Sequence, residues 1–225
     1  MSESRSPSGA RRVRRVLDTD LIIRAAIAIA DQEDLAALTM RRLAHDLEVA
    51  TMTVYGYFAN KDQILDAMAD SIMGGFDASV DAIDTSPRAT FVSVTTAFMA
   101  LLRAHPSVAR LLTMRVTDSP VALDGSMEKV LDRFLRSGMD APTAISAYGA
   151  MMRYAIGSVL YQLPRPWGDL ESDDARATRS DFYRSLDETR FPRLNELADL
   201  LPSLPSTGQF DVGVEALADG LGLRR

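Results

Sequence analysis

The chain has 225 residues, 47% of them hydrophobic, no cysteine and a formal net charge of -6. That length and apolar share allow a real core in one large or two unequal units, while the missing cysteines exclude disulfides and thiolate chemistry. No apolar run reaches the roughly 20 residues that span a bilayer, and the acidity argues against a protein that coats nucleic acid with its whole surface.

The charge is unevenly placed. Residues 1–17 carry five arginines and one glutamate, and read as a basic flexible arm. It is either a solvated tail or an arm that adds nonspecific or minor-groove contacts, and in both cases it raises salt sensitivity. The arm lacks the apolar block of a secretory signal, so a cytoplasmic location is the expectation.

Helical periodicity then dominates and no stretch alternates like a strand, which predicts an all-α fold. Asp18 or Thr19 caps a first helix that buries Leu21, Ile22, Ala25, Ala26, Ile29 and Ala30 and ends near Asp31 to Asp34. Thr39 caps a short second helix, MRRLAHDL, with Leu43 and Leu47 on one face. Glu48 and Val49 make a turn, a third helix carries Thr51 to Phe58, and Asn60 caps a fourth with a stripe from Ile64 and Leu65 to Met73 and Phe76.

Beyond Asp77 the helices are longer and separated by proline. SPRATFVSVTTAFMALLRAH stops at Pro106, which opens SVARLLTM. A helix around Asp124 to Ser137 stops at Gly138. APTAISAYGAMMRYAIGSVLYQL is apolar nearly all round, which predicts burial on several sides. PRPWGDLESDD reads as a loop, DARATRSDFYRSLDETR as a polar helix, PSLPSTGQ as a linker and FDVGVEALADGLGL as a closing amphipathic helix.

Residues 39 to 58 have the dimensions of a helix-turn-helix. Leu43, Leu47, Val54 and Phe58 hold the two short helices on the first, and Ala44 is small where they cross. Met52, Thr53, Gly56 and Tyr57 then face outward, with Tyr55 at the flank. Such a face suits a DNA groove: Met and Thr methyls can meet thymine methyls, hydroxyls can bond phosphates, and glycine permits close approach.

LTMRRLAHDLEVATMTVYGYFANKDQILDAM resembles the DNA-binding module of the tetracycline-repressor family of bacterial regulators. In that family the recognition helix ends in a Tyr-x-His/Tyr-Phe-like sequence, followed by a short turn and a Lys-Asp/Glu that starts the fourth helix. The similarity covers residues 17 to 73. It implies that Thr51, Thr53, Tyr55 and Tyr57 meet DNA from the recognition helix, with Met52 and Thr53 reading bases. It further implies that Thr39 and Arg41 grip the backbone from the second helix, and that Lys61 holds a phosphate at the positive end of the fourth. Glu48 and Asp34 stand where the family usually has glycine.

A weaker similarity continues to the end. AHPSVARLL, the helix at 141 to 163 and FDVGVEALADGL resemble the ligand-binding and dimerisation domain of the branch that holds the tetracycline repressor itself. That implies a two-fold homodimer on a palindromic double-stranded operator, with Gly149, Gly157, Gly213 and Gly220 letting helices approach, and recognition helices about 34 Å apart. It also implies an apolar or aromatic small-molecule effector, with Phe98, Met114, Tyr148, Met151, Met152 and Tyr154 as candidate lining residues against the plainer reading of core. Arg153 is a permanent charge within an apolar helix. It meets either an acidic effector or a carboxylate across the dimer.

His105 and His45 read as a helix-end and a surface residue. Two histidines and no cysteine make a first-row metal site and a cofactor unexpected, and no histidine matches the family's magnesium-drug ligand. Asp173, Asp174, Asp187 and Glu188 lack a partner nucleophile, and no phosphate loop or nucleophile elbow is present, so an enzyme is not expected. The reading is of residues 18–65 as the DNA-binding domain and 66–225 as the effector-binding and dimerisation domain of a regulator, with a constitutive DNA-binding protein as the alternative.

Overall fold

The computed structural model describes residues 17–76, 86–115, 118–162, 172–204 and 206–224. The arm at 1–16 and most of the PRPWGDLESDD segment lie outside them. The described elements are all helical, with no strand among them.

The N-terminal helices begin where capping chemistry places them. Asp18 accepts from Leu21 N–H at 2.7 Å and opens α1 (Thr19–Gln32); Thr39 accepts from Arg42 N–H at 3.0 Å and opens α2 (Met40–Asp46). Asn60 accepts from Gln63 N–H at 2.9 Å and opens α4 (Lys61–Gly74). The recognition helix α3 (Thr51–Tyr55) is shorter than its periodicity predicts, because Gly56 closes it and Phe58 turns back into the core. Leu21 and Ala25 are only half-buried; Ile23 and Ile27 share the buried face with Ile22, Ala26, Ile29 and Ala30.

The rest comprises α5 (Pro87–Ala104), α6 (Pro106–Met114), α7 (Pro120–Ala122), α8 (Lys129–Arg136), α9 (Ala141–Gln162), α10 (Asp173–Arg184), α11 (Pro192–Glu196) and α12 (Thr207–Gly220). Between α7 and α8 the chain makes a π turn, Leu123–Glu128, which periodicity does not reveal. Packing accounts for it. Gly125 lies so close to Gly74 at the end of α4 that a Cβ at 125 would overlap the Gly74 backbone. The predicted linker before α12 contains a short 3-10 turn, Leu201–Ser203.

Two cores form. Ile22, Leu43, Val54, Ile64 and Met68 centre the first; Phe91, Phe98, Phe134, Met151 and Val214 belong to the second. Each such side chain contributes about 1.5–3 kcal/mol by leaving water. The change of core occurs inside α4: Ile72 packs on the first and Met73 and Phe76 on the second. Leu111 of α6, fully buried, belongs to the N-terminal core despite its position in the chain.

α9 is enclosed on more than one side, as its composition predicts: α5, α6, α8 and α12 pack on it, with Ala144, Ala147, Met151, Ala155 and Val159 buried and Tyr148, Met152, Tyr154, Ile156 and Leu160 packed around them. One side stays open in the protomer, where Arg153 and Gly157 are exposed, with Ile145 57% and Tyr161 52% exposed at its edges.

Candidate functional site

The turn between α2 and α3 fixes the recognition helix. Glu48 is the one non-glycine among the described residues with positive φ, at 56°. Its N–H donates to the His45 carbonyl at 3.1 Å and the Val49 N–H to the Ala44 carbonyl at 2.9 Å, the two crossed bonds of a Schellman cap. That is why a glycine suits this position, and a side chain here costs about 1 kcal/mol. Asp34 differs from expectation: it has no positive φ and instead accepts from the Ala37 N–H at 2.7 Å, a local side-chain turn.

Val54 is fully buried and Phe58 nearly so, which turns the opposite side of α3 outward. Met52 is 76% exposed, Tyr55 44% and Tyr57 45%. Thr53, Gly56, Arg41 and Thr39 are exposed too, and Thr51 is half-buried. These residues lie at the start of α2 and along and just beyond α3, two helices that pack on each other. Arg41 has no ion-pair partner among the described residues, whereas Arg42 is spent on Glu33 at 2.7 Å and Asp46 at 2.9 Å. The Arg42 hydrogen bond holds the Asp46 carboxyl below the usual carboxylate range.

Two residues of the predicted set are engaged within the chain. The Tyr57 hydroxyl donates to the Leu17 carbonyl at 2.7 Å, tying the residue before the α1 cap to the end of the recognition helix. Lys61 is half-buried, and its ammonium donates to the Leu35 carbonyl at 2.6 Å, so it braces the loop between α1 and α2.

Of the predicted effector residues, Phe98, Tyr148, Met151, Met152 and Tyr154 come together in or against the second core, whereas Met114 and Arg153 lie at the surface. Phe98 and Met151 are core, Phe98 edge-on to Phe76 at 5.4 Å. Met114, at the end of α6, is 66% exposed and lines no described cavity. Tyr148 and Met152 are half-buried. The Tyr148 phenol is pushed up by burial and hydrogen-bonds Ser126 in the π turn. Tyr154 stacks on Phe210 at 5.2 Å and 18°, its hydroxyl donating to the Phe210 carbonyl at 3.2 Å. Gly213 is required there, since a Cβ would overlap that hydroxyl. Its close approach therefore serves packing within the protomer.

Tyr154 and Arg153 border an open groove of about 360 Å³ between the end of α9 and the start of α12, with Tyr161, Gln162, Gln209 and Phe210. Arg153 is exposed, not buried, because it lies on the open face of α9; it has no ion-pair partner among the described residues. The Gln162 side-chain oxygen is buried and has no hydrogen-bond partner among the described residues.

Contacts that sequence reasoning missed join the two cores. Arg115, after α6, reaches Asp66 at 2.6 Å and Asp62, both on α4. Asp31, at the end of α1, meets His105 Nδ1 at 2.9 Å. These partners are about 50 to 75 residues apart, beyond any periodic signal. The described residues hold no helix long and apolar enough to cross a membrane and no cluster that could hold a metal ion.

A capped helix-turn-helix with an exposed recognition face, set on a larger helical body, defines a DNA-binding regulator of the two-domain helical class. Comparison with known proteins agrees. Residues 22–68 match "Bacterial regulatory proteins, tetR family" and residues 85–224 match "Tetracyclin repressor-like, C-terminal domain". The transcriptional repressor DrrR1 of Streptomyces coeruleorubidus is 31% identical over 96% of this chain and 81% of its own. The class A tetracycline repressor of transposon 1721 from Escherichia coli is 26% identical over 93% and 92%. The crystal structure of ActR from Streptomyces coelicolor in complex with actinorhodin superposes with a TM-score of 0.73 at 26% identity, over 92% and 97% of the two chains. The chain belongs to the TetR family: it is a helix-turn-helix transcriptional regulator and not an enzyme.

Proposed function

We propose that the chain is a repressor that binds a palindromic operator as a homodimer and is released from it by an apolar or aromatic small molecule. The observation that carries the DNA reading is the exposed surface of Met52, Thr53, Tyr55 and Arg41 beside a turn closed by both Schellman hydrogen bonds. Thr39, Thr51, Gly56 and Tyr57 border that surface. Lys61 supports it from behind, and its hydrogen bond to Leu35 would have to exchange for a phosphate to act directly.

The dimer reading rests on the open face of α9 and α12. Ile145 and Val212, 57% and 63% exposed, present apolar surface that no part of the described chain covers. Gly157 and Gly220 leave open space where a second pair of helices would approach. Reciprocal burial of such a face brings two recognition helices to one side of a duplex.

The effector reading is supported by the groove beside Tyr154. A stacked aromatic pair, a free guanidinium at Arg153 and the unpartnered Gln162 oxygen suit a planar aromatic molecule with an acidic group and a hydroxyl. ActR, a related protein, was crystallised with actinorhodin. An effector acts here by preferring one setting of the two cores, and about 1.4 kcal/mol of preference loosens DNA tenfold.

The test is binding to a fluorescent duplex carrying the upstream intergenic sequence, titrated against salt, with Tyr55→Ala and Arg41→Ala. Saturable dimeric binding that both substitutions weaken supports the reading. Binding no tighter than to random duplex and indifferent to both would refute it. Aromatic acids are then screened for release, and an Arg153→Ala protein should lose the response.

A further inference from the structure

α6 does not cap itself. His105 ends α5 and begins α6, and its side chain makes no capping hydrogen bond within the helix. Pro106 has no N–H to satisfy, so the first free donor is the Ser107 N–H. That donor goes to Asp31, at 3.1 Å, and the Ser107 hydroxyl goes to the same Asp31 oxygen at 2.6 Å. The second Asp31 oxygen takes His105 Nδ1 at 2.9 Å. Ser107 is buried and the Asp31 side chain is 17% exposed.

Asp31 lies in the last turn of α1, within the DNA-binding helices. A carboxylate there is misplaced with respect to the dipole of α1, which is negative at that end. Nothing in α1 explains it. At the start of α6 the same charge meets a positive helix end and three donors.

We infer that Asp31 is a positioning residue: by capping α6 from the other unit, it fixes how the DNA-binding helices sit on the C-terminal body. The inference builds on the proposed function, since the setting it controls is the one that presents α3 to an operator. α6 is held along its length. Asp31 holds its first turn, Leu111 its middle within the N-terminal core, and Arg115 its end through Asp62 and Asp66. The Arg115 carboxylates are 74% and 54% exposed, so solvent weakens that hold. The enclosed Asp31 cap is the stiffer of the two polar attachments. A tilt of α6 against α1 must either break three hydrogen bonds or carry α1 with it.

The absence of cysteine allows a direct test. His45→Cys on α2 and Arg136→Cys at the end of α8 replace side chains that are 85% and 78% exposed. Spin labels at both sites, with labelled chains diluted into excess unlabelled protein, report a distance within one chain whatever the oligomeric state. The expected result is one narrow distribution for the parent and a broadened or displaced one for Asp31→Ala, with duplex binding about three- to tenfold weaker. Asp31→Asn keeps an oxygen for Ser107 and an N–H for His105 Nδ1, and should restore both readouts.

An Asp31→Ala distribution that superposes on the parent overturns the inference, even if the melting temperature falls, because the cap is then only a local stabiliser. An Asp31→Asn protein as displaced as Asp31→Ala also overturns it. Ser107→Ala removes one donor of the three and carries the same test, with a smaller displacement, if Asp31→Ala does not fold. If the parent fails to bind duplex, the proposed function falls, and the distance measurement still judges the cap.

Discussion

The helices before residue 77 and the pair α9 and α12 use apolar residues in opposite ways. In the first region the apolar side chains are divided between a closed core and one small exposed surface of Met52, Tyr55 and Tyr57, until Met73 and Phe76 pass to the second core. In the other, α9 buries a stripe of mostly small residues and leaves Ile145 and Tyr161 outside, while α12 leaves out Val212. The N-terminal region closes its core with one outside residue, Leu111 of α6, and opens α1, α2 and α4 with side-chain caps. The α9 and α12 pair keeps an apolar face that its own protomer leaves uncovered. A small unit can be specified by its own caps and turns, whereas long helices are specified jointly with whatever packs on them.

The largest effect that would break this contrast is on the closed core. Leu43→Ala should cost about 2–5 kcal/mol in urea denaturation and abolish duplex binding, yet leave the oligomeric mass by light scattering unchanged. A loss of mass as well would mean that the regions are not independent. Next, Ile145→Asp with Val212→Asp should halve that mass, preserve helical content and weaken operator binding about a hundredfold or more by removing the second half-site contact. An unchanged mass would show that the open face is not the interface.

Smaller changes sharpen the picture of the first region. Glu48→Gly should stabilise the protein by about 0.5–1 kcal/mol, by relieving the left-handed backbone. It should also tighten duplex binding by removing a negative charge near the phosphates. A destabilised variant would show that contacts of the Glu48 side chain outweigh its backbone cost. Finally, the Asp46 carboxyl is depressed in the folded state, chiefly by its hydrogen bond with Arg42. Its contribution is therefore present above the unfolded carboxylate value of about 3.9 and is lost as pH falls through the lower folded value. Arg42→Ala should move the Asp46 titration, followed by NMR, up towards the unfolded value.

What the sequence revealed follows the range of the physics. Thr39, Asn60 and Asp18 act within three residues, and their helices start where those residues predict. The exposed side of α3 follows from Val54 and Phe58, one turn away. The π turn at Leu123–Glu128 exists because α4 passes against it, and no local propensity encodes that. Arg153 misleads for a related reason: its neighbours Met151 and Ala155 belong to the closed core, but two residues along a helix is more than half a turn, and Arg153 lies on the exposed side. Met114, the last residue of α6, is likewise exposed. Asp31 and His105 read as ordinary helix-end residues until the fold brings them within 2.9 Å.

The change of core inside α4 bears on how such a regulator could be given a new operator. A graft that replaces the DNA-binding helices and is spliced at residue 65 would separate Met68, Ala69 and Ile72 from the side chains they pack against. A junction after Phe76 keeps all of that core except Leu111 in one parent. Leu111, Asp62, Asp66 and Arg115 belong to the same exchange although two of them lie far downstream. The unit that can be transplanted is thus defined by contact and not by a continuous stretch of chain.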